Sequence, residues 1–202
     1  MKRLLRLIPI LVLVVALTLS VSVAGVASAD LVSQFADPYE GMAYFSNNYA
    51  DRTECTDQEA NAAQVLANAL AQMGYVGLDG NMIQEFTFRQ EEADESNLLS
   101  LLGGSKTVEY TSRNVVAIRR STQANAPLLV LASNYGNVRS LEYGGTSMGG
   151  ECVYETSSSV GLLMSLAHRL SASGVNLPYD LAFLFIGADY YGYYGADAFF
   201  KN

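Results

Sequence analysis

Asp189 and Tyr190 follow an apolar run, Leu181 to Ile186, and a Gly187-Ala188 pair; Gly192 and Gly195 come next. A carboxylate at the end of a buried strand can act as a general base or as an oxygen ligand. Glu155 stands just ahead of a second apolar pattern, and Asn134 just behind a third. Glu155, Asp189 and Asn134, with Glu151 close in sequence, would suit calcium or magnesium if they converged. Acidic residues gathered at one edge more often form a solvated rim, and the residues alone favour the rim.

Other residue types with chemical capacity are easier to place. Ser157, Ser158 and Ser159 open a helical pattern, but the single histidine, His168, lies further along the same helix. A nucleophilic serine needs an adjacent base, so capping by Thr156 or Ser157 is the simpler expectation. The loop Gly144 to Gly150 contains no lysine and opens no helix, unlike a phosphate cradle. Tyr190, Tyr191, Tyr193 and Tyr194 could stack on a sugar or peptide, or could fill interior space. Cys55 and Cys152 are the only cysteines, a candidate disulfide across the domain if the chain is exported.

Export is the expectation from the first residues. Lys2, Arg3 and Arg6 precede an apolar run, Leu7 to Val26, and Ala27-Ser28-Ala29 offers a cleavage site before Asp30. Residues 1–29 thus read as a signal peptide, leaving no stable membrane span after cleavage and an extracytoplasmic or secreted location. Of twelve basic residues three lie in that leader, and the chain has twenty acidic ones. Such a charge balance repels phosphate backbones and excludes nucleic acid as a natural partner.

The elements that must hold these residues follow from periodicity. Residues 30–55 read as irregular. Thr56-Asp57-Gln58-Glu59 is a capping box, and Ala63, Leu66, Leu70 and Met73 continue it as an amphipathic helix stopped at Gly74. Strands are expected at Met82 to Arg89, Arg113 to Arg119, Pro127 to Ser133 and Asp180 to Gly187. Between the first two lies an acidic, then Gly-rich excursion with a short helix at Ser96 to Leu102. Helices are expected at Ser157 to Ser171 and from Ala196 onward. Apolar strands interleaved with helices predict an α/β fold, a three-layer sandwich with a central mixed, mostly parallel sheet covered on both faces.

Five segments in this order resemble the two-zinc aminopeptidases, metallopeptidase family twenty-eight. The helix ending in Leu70, Gly74 and Tyr75 is one, and Arg113-Asn114-Val115-Val116-Ala117 another. Leu128 to Val138 and Glu155 to Leu170 correspond to two of its ligand-bearing segments, and Leu181 to Gly195 to its Gly-Ala-Glu-Glu turn. The resemblance covers residues 56–202 and implies a partial Zn-dependent exopeptidase domain, without roughly the last third of the family's domain. It puts Asp189 at the general-base position and Asn134, Glu155 and Tyr190 at ligand positions. Gly136 stands where a supporting aspartate belongs. Asparagine and tyrosine replace ligating groups and glycine a supporting one, so the reading implies a lost zinc site and no cofactor. The expected function is a non-catalytic, peptide- or surface-binding module or a truncated remnant, with some tendency to self-associate. The alternative is a metallo-aminopeptidase completed by a partner or by further sequence.

Overall fold

The computed structural model describes residues 31–93, 105–137, 141–143, 146–148 and 156–201. The leader, the expected helix at 96–102, Cys152 and Glu155 lie outside the described residues, as does most of the Gly-rich loop. Helix α1 spans Pro38–Asn48 and α2 Asp57–Gln72; strands β1, Ile83–Ala93, and β2, Ser105–Arg119, follow. Then come β3 (Leu128–Asn134), a small hairpin of β4 (Leu141–Tyr143) and β5 (Thr146–Met148), α3 (Ser158–Ser173), β6 (Asp180–Ile186) and α4 (Tyr194–Lys201).

Helix α1 corrects the expectation of irregular chain over 30–55. Asp37 caps it, its carboxylate accepting from the Tyr39 and Glu40 amides, and Pro38 sits at the first turn, where its missing N–H costs nothing. Gly41 and the Asn47-Asn48 pair obscure that signal in the sequence. Gly41 and Gly161 are instead contact points. A Cβ on Gly161 would lie 2.4 Å from the Pro38 carbonyl oxygen and 2.6 Å from the Met42 nitrogen, so α1 and α3 meet backbone to backbone. Gly161→Ala must push the helices apart, and we expect a loss of about 2 kcal/mol in unfolding free energy by urea titration.

The larger sheet has the order β1-β2-β6-β3. It is mixed, as expected, but not mostly parallel. β1 with β2 and β2 with β6 are antiparallel, and only β3 with β6 is parallel. The reason is that β1 and β2 pair along their full lengths as a long ribbon, from Ile83↔Val115 to Ala93↔Ser105. This ribbon extends into the stretch read as an excursion. Strand β6 is buried from Leu181 to Ile186, whereas β3, at the edge of the sheet among the described residues, has Leu128 and Leu129 47% and 42% exposed. The expectation that β3 would be covered on both faces does not hold.

Helices cover both faces of the sheet. On one face Leu66 and Leu70 of α2 and Val160 and Met164 of α3 pack with Phe183 and Phe185. On the other, Val116, Ile118, Ala182, Leu184 and Ile186 pack with Ala196 and Phe199 of α4. Tyr75 ties the first layer together: its ring meets Phe183 edge-on at 5.4 Å, and its hydroxyl donates to the Ala167 carbonyl at 3.0 Å.

Candidate functional site

The register of the parallel ladder sets the site. Asn134 pairs with Ile186 at the carboxyl ends of β3 and β6, so the segments that follow both strands emerge side by side. Asp189 lies in one of them, and the Asn134 side-chain amide donates to its Oδ2 at 2.6 Å. Burial raises the Asp189 carboxyl above its ordinary range, and the Asn134 hydrogen bond opposes that rise.

Asn114, in β2, closes the loop that carries Asp189. Its Oδ1 accepts from the Gly187 amide at 3.1 Å and its Nδ2 donates to the Gly195 carbonyl at 2.7 Å. The two ends of the loop therefore touch: a Cβ on Gly195 would stand 2.1 Å from the Gly187 oxygen. Inside this clamp Ala188 adopts a left-handed conformation, φ 51°. The Asp189 amide then points at Glu54 and donates to its Oε1 at 2.9 Å.

Glu54 is a residue that the sequence reading missed, and it is 1% exposed. It enters through a short pairing between residues 52–54 and 135–137. Asn137 donates its amide to the Arg52 carbonyl at 2.9 Å, and Glu54 donates its amide to the Asn137 carbonyl at 3.2 Å. Gly136 makes the room, since a Cβ there would lie 2.5 Å from Glu54 Cγ. The position that loses an aspartate, by the resemblance, is thus the one against which a glutamate packs. Burial pushes the Glu54 carboxyl up to about 8, against the Asp189 amide bond, which lowers it.

A second buried carboxyl, Glu59, stands beside it. The capping box is only half present. Thr56 accepts from the Glu59 amide at 3.3 Å, but the Glu59 carboxylate accepts from Cys55 N at 2.8 Å and from the Ser112 hydroxyl at 2.7 Å. Burial raises Glu59 to about 7, with Ser112 and Cys55 opposing. Gly187 packs directly on this pair, for a Cβ there would come within 2.7 Å of Glu59 Oε1. Tyr135, wholly buried, donates its hydroxyl to the Arg113 carbonyl at 2.8 Å.

Arg52 is also wholly buried. Its Nε donates to the Tyr135 carbonyl at 2.6 Å, Nη1 to the Tyr49 carbonyl at 2.8 Å, and Nη2 to Thr156 Oγ1 and Ser157 Oγ, both at 2.7 Å. The guanidinium lies over the Phe45 ring, 4.8 Å from its centre. Of the two residues expected to cap α3, Ser157 makes no side-chain cap; its hydroxyl and that of Thr156 accept from Arg52. Ser133 donates to Ser159 at 2.6 Å, and Ser159 donates to the Thr156 carbonyl at 3.0 Å.

Of the expected site residues, the structure brings together Asn134 and Asp189. Tyr190 points outward, 41% exposed. Cys55 is half-buried just before the α2 cap. The tyrosines divide: Tyr194 stacks on Phe88 at 4.1 Å and Tyr191 packs against Tyr110 at 5.0 Å, while Tyr193 is 69% exposed. Tyr191 and Tyr194 are half-buried against the β1–β2 ribbon. Among the described residues no group of three or more histidine, cysteine, aspartate and glutamate side chains is placed to hold a metal ion. Nor, among them, is any helix long and apolar enough to cross a membrane.

No protein-family model matches the chain, and no curated protein does. Solved structures do. The aminopeptidase from Aneurinibacillus sp. strain AM-1 superposes with a TM-score of 0.59 at 11% identity, over 84% of this chain and 67% of that one. The zinc aminopeptidase BSAP from Bacillus subtilis gives 0.60 at 10% identity, over 83% and 65%. This chain has their zinc-exopeptidase fold. A glutaminyl cyclase from Tannerella forsythia shares it, with a TM-score of 0.50 at 12% identity over 75% of this chain and 46% of the cyclase. The chain thus spans between about half and two thirds of the length of these relatives.

Proposed function

We propose that this is an exported exopeptidase-fold domain that does not catalyse hydrolysis and holds no zinc, its cleft serving to bind a peptide or a cell-surface component. The observation that carries the reading is the 2.6 Å hydrogen bond from the Asn134 amide to Asp189. Zinc takes imidazole nitrogen, thiolate or carboxylate oxygen, and an amide nitrogen has no lone pair to give. By the resemblance Asn134 occupies a histidine position and Asp189 that of the general base; here they satisfy each other. Tyr190, the other replaced ligand position among the described residues, presents a phenol in place of a carboxylate, 41% exposed. The residues present do not fit a two-zinc centre.

The reading makes a direct prediction. Protein purified and dialysed against zinc should contain less than one equivalent of the metal by elemental analysis. It should give no turnover of aminoacyl p-nitroanilides or of peptides with N-terminal glutamine. Two bound zinc ions per chain together with turnover would overturn it.

A second reading, a metallo-aminopeptidase completed by a partner or by further sequence, draws on the relatives' greater length, of which this chain spans 65% and 67%. It predicts metal and activity only when the completing chain is present. The proposal predicts neither in either case.

A further inference from the structure

Between α2 and β1 the chain makes a small detour. Val76 exchanges backbone hydrogen bonds with Ile118 of β2, at 3.1 and 2.7 Å, and the Met82 carbonyl accepts from the Val116 amide at 2.7 Å. Both ends of the segment are thus pinned to one strand, and residues 77–81 project from it as a loop. Its neck closes backbone to backbone, since a Cβ on Gly77 would lie 2.2 Å from the Asn81 carbonyl carbon. Leu78, Asp79 and Gly80 form the exposed tip.

The tip holds the chain's single Asp-Gly or Asn-Gly step, Asp79-Gly80. An aspartyl carboxyl stands one methylene from its own backbone, so the next residue's amide nitrogen can attack it through a five-membered ring. A side chain on that next residue would shield the nitrogen. Gly80 has none, and even an added Cβ would meet nothing within 4 Å. The Gly80 amide is lightly held, its hydrogen bond to the Gly77 carbonyl being 3.4 Å long, beyond the usual range. The carboxyl is equally uncommitted. Asp37 accepts from the Tyr39 amide, Asp180 from Arg120 and Ser121, Asp189 from Asn134 and Asp197 from Lys201. Asp79 meets no hydrogen-bond or ion-pair partner among the described residues.

We propose that Asp79-Gly80 is a site of spontaneous backbone modification, converting to isoaspartate. The Gly80 nitrogen bonds to Asp79 Cγ, and the carboxyl hydroxyl leaves as water with the amide proton. Water then opens the cyclic imide. Cleavage at Cγ returns aspartate. Cleavage at the Asp79 main-chain carbonyl routes the backbone through the side chain, one methylene longer, and frees an α-carboxylate. The two steps release and consume one water, with no change of oxidation state. The pinned neck confines the added methylene to the tip, so β1 and β2 keep their register. The new α-carboxylate is the group that an isoaspartate methyltransferase esterifies with S-adenosylmethionine. This inference does not depend on the state of the metal site.

Incubating the full chain in mildly acid buffer, beside a synthetic peptide of residues 76–82, tests it. Labelled methyl transfer counts the isoaspartate, and an endoproteinase that cuts before aspartate but not before isoaspartate locates it. We expect cleavage before Asp79 to be lost while cleavage before Asp57 is retained. The rate should lie within about tenfold of the peptide's, the most that one neutral hydrogen bond on the attacking amide can impose. The melting temperature should not change. Asp79→Glu, whose ring would need six members, should take up no label at this step and keep its thermal transition. The proposal fails if Asp79 stays cleavable after the peptide has converted, or if the glutamate variant gathers as much label. A melting temperature that falls with conversion would overturn the confinement to the tip.

Discussion

Raising the pH from about 5 to about 8.5 should destabilise the fold, by on the order of 4 kcal/mol. Glu54 and Glu59 sit in the interior with carboxyls raised by burial, from 4.5 to about 8 and about 7. A raised acid binds its proton more tightly folded than unfolded. Its contribution is complete below the unfolded value and disappears as pH rises through the folded value. The window is therefore about 4.5 to 8. Asp180, lowered by its Arg120 bond, acts in the opposite sense and only at more acid pH. Glu54→Gln keeps an oxygen for the Asp189 amide and removes the ionisation. We expect it to raise the melting temperature at pH 8.5 and to flatten much of the pH dependence measured by circular dichroism. An unaltered protein equally stable at pH 5.5 and 8.5 would show that both carboxyls reach water.

Arg52→Met should cost about 3 kcal/mol. Methionine matches the length of the arginine stem and keeps contact with Phe45. It leaves the Tyr135 and Tyr49 carbonyls and the Thr156 and Ser157 hydroxyls without the donor that now serves them. Buried acceptors stripped of a partner incur their full desolvation cost. Because Arg52 joins the chain before α2 to the end of β3 and the start of α3, the loss should appear as a lower urea midpoint for the whole domain. A change under about 1 kcal/mol would mean that water replaces the guanidinium.

Much of the fold is legible in local patterns. The Thr56 cap, the apolar stripe and the Gly74 stop of α2, at φ 86°, and the apolar run of β6 are each decided within a few residues. Helix α1 was hidden because Gly41 suggests a turn, whereas it is a close contact with α3. The length of β1 and β2 was hidden because their polar outer halves lack a buried face.

The site is a different matter. Asn134 and Asp189 were identifiable by order along the chain, and so was the replacement of imidazole by amide. Their direct bond across 55 positions, and the Glu54 carboxyl that meets the Asp189 amide across 135, were not. Gly136 was the available signal, but as a missing aspartate rather than as space for Glu54. The sequence by itself determined most of the strands and helices, since turns, caps and periodicity act between near neighbours. Only the tertiary structure decided which charged groups lose water, because burial depends on segments that meet from distant parts of the chain. That desolvation gives Glu54, Glu59 and Arg52 their influence on this protein.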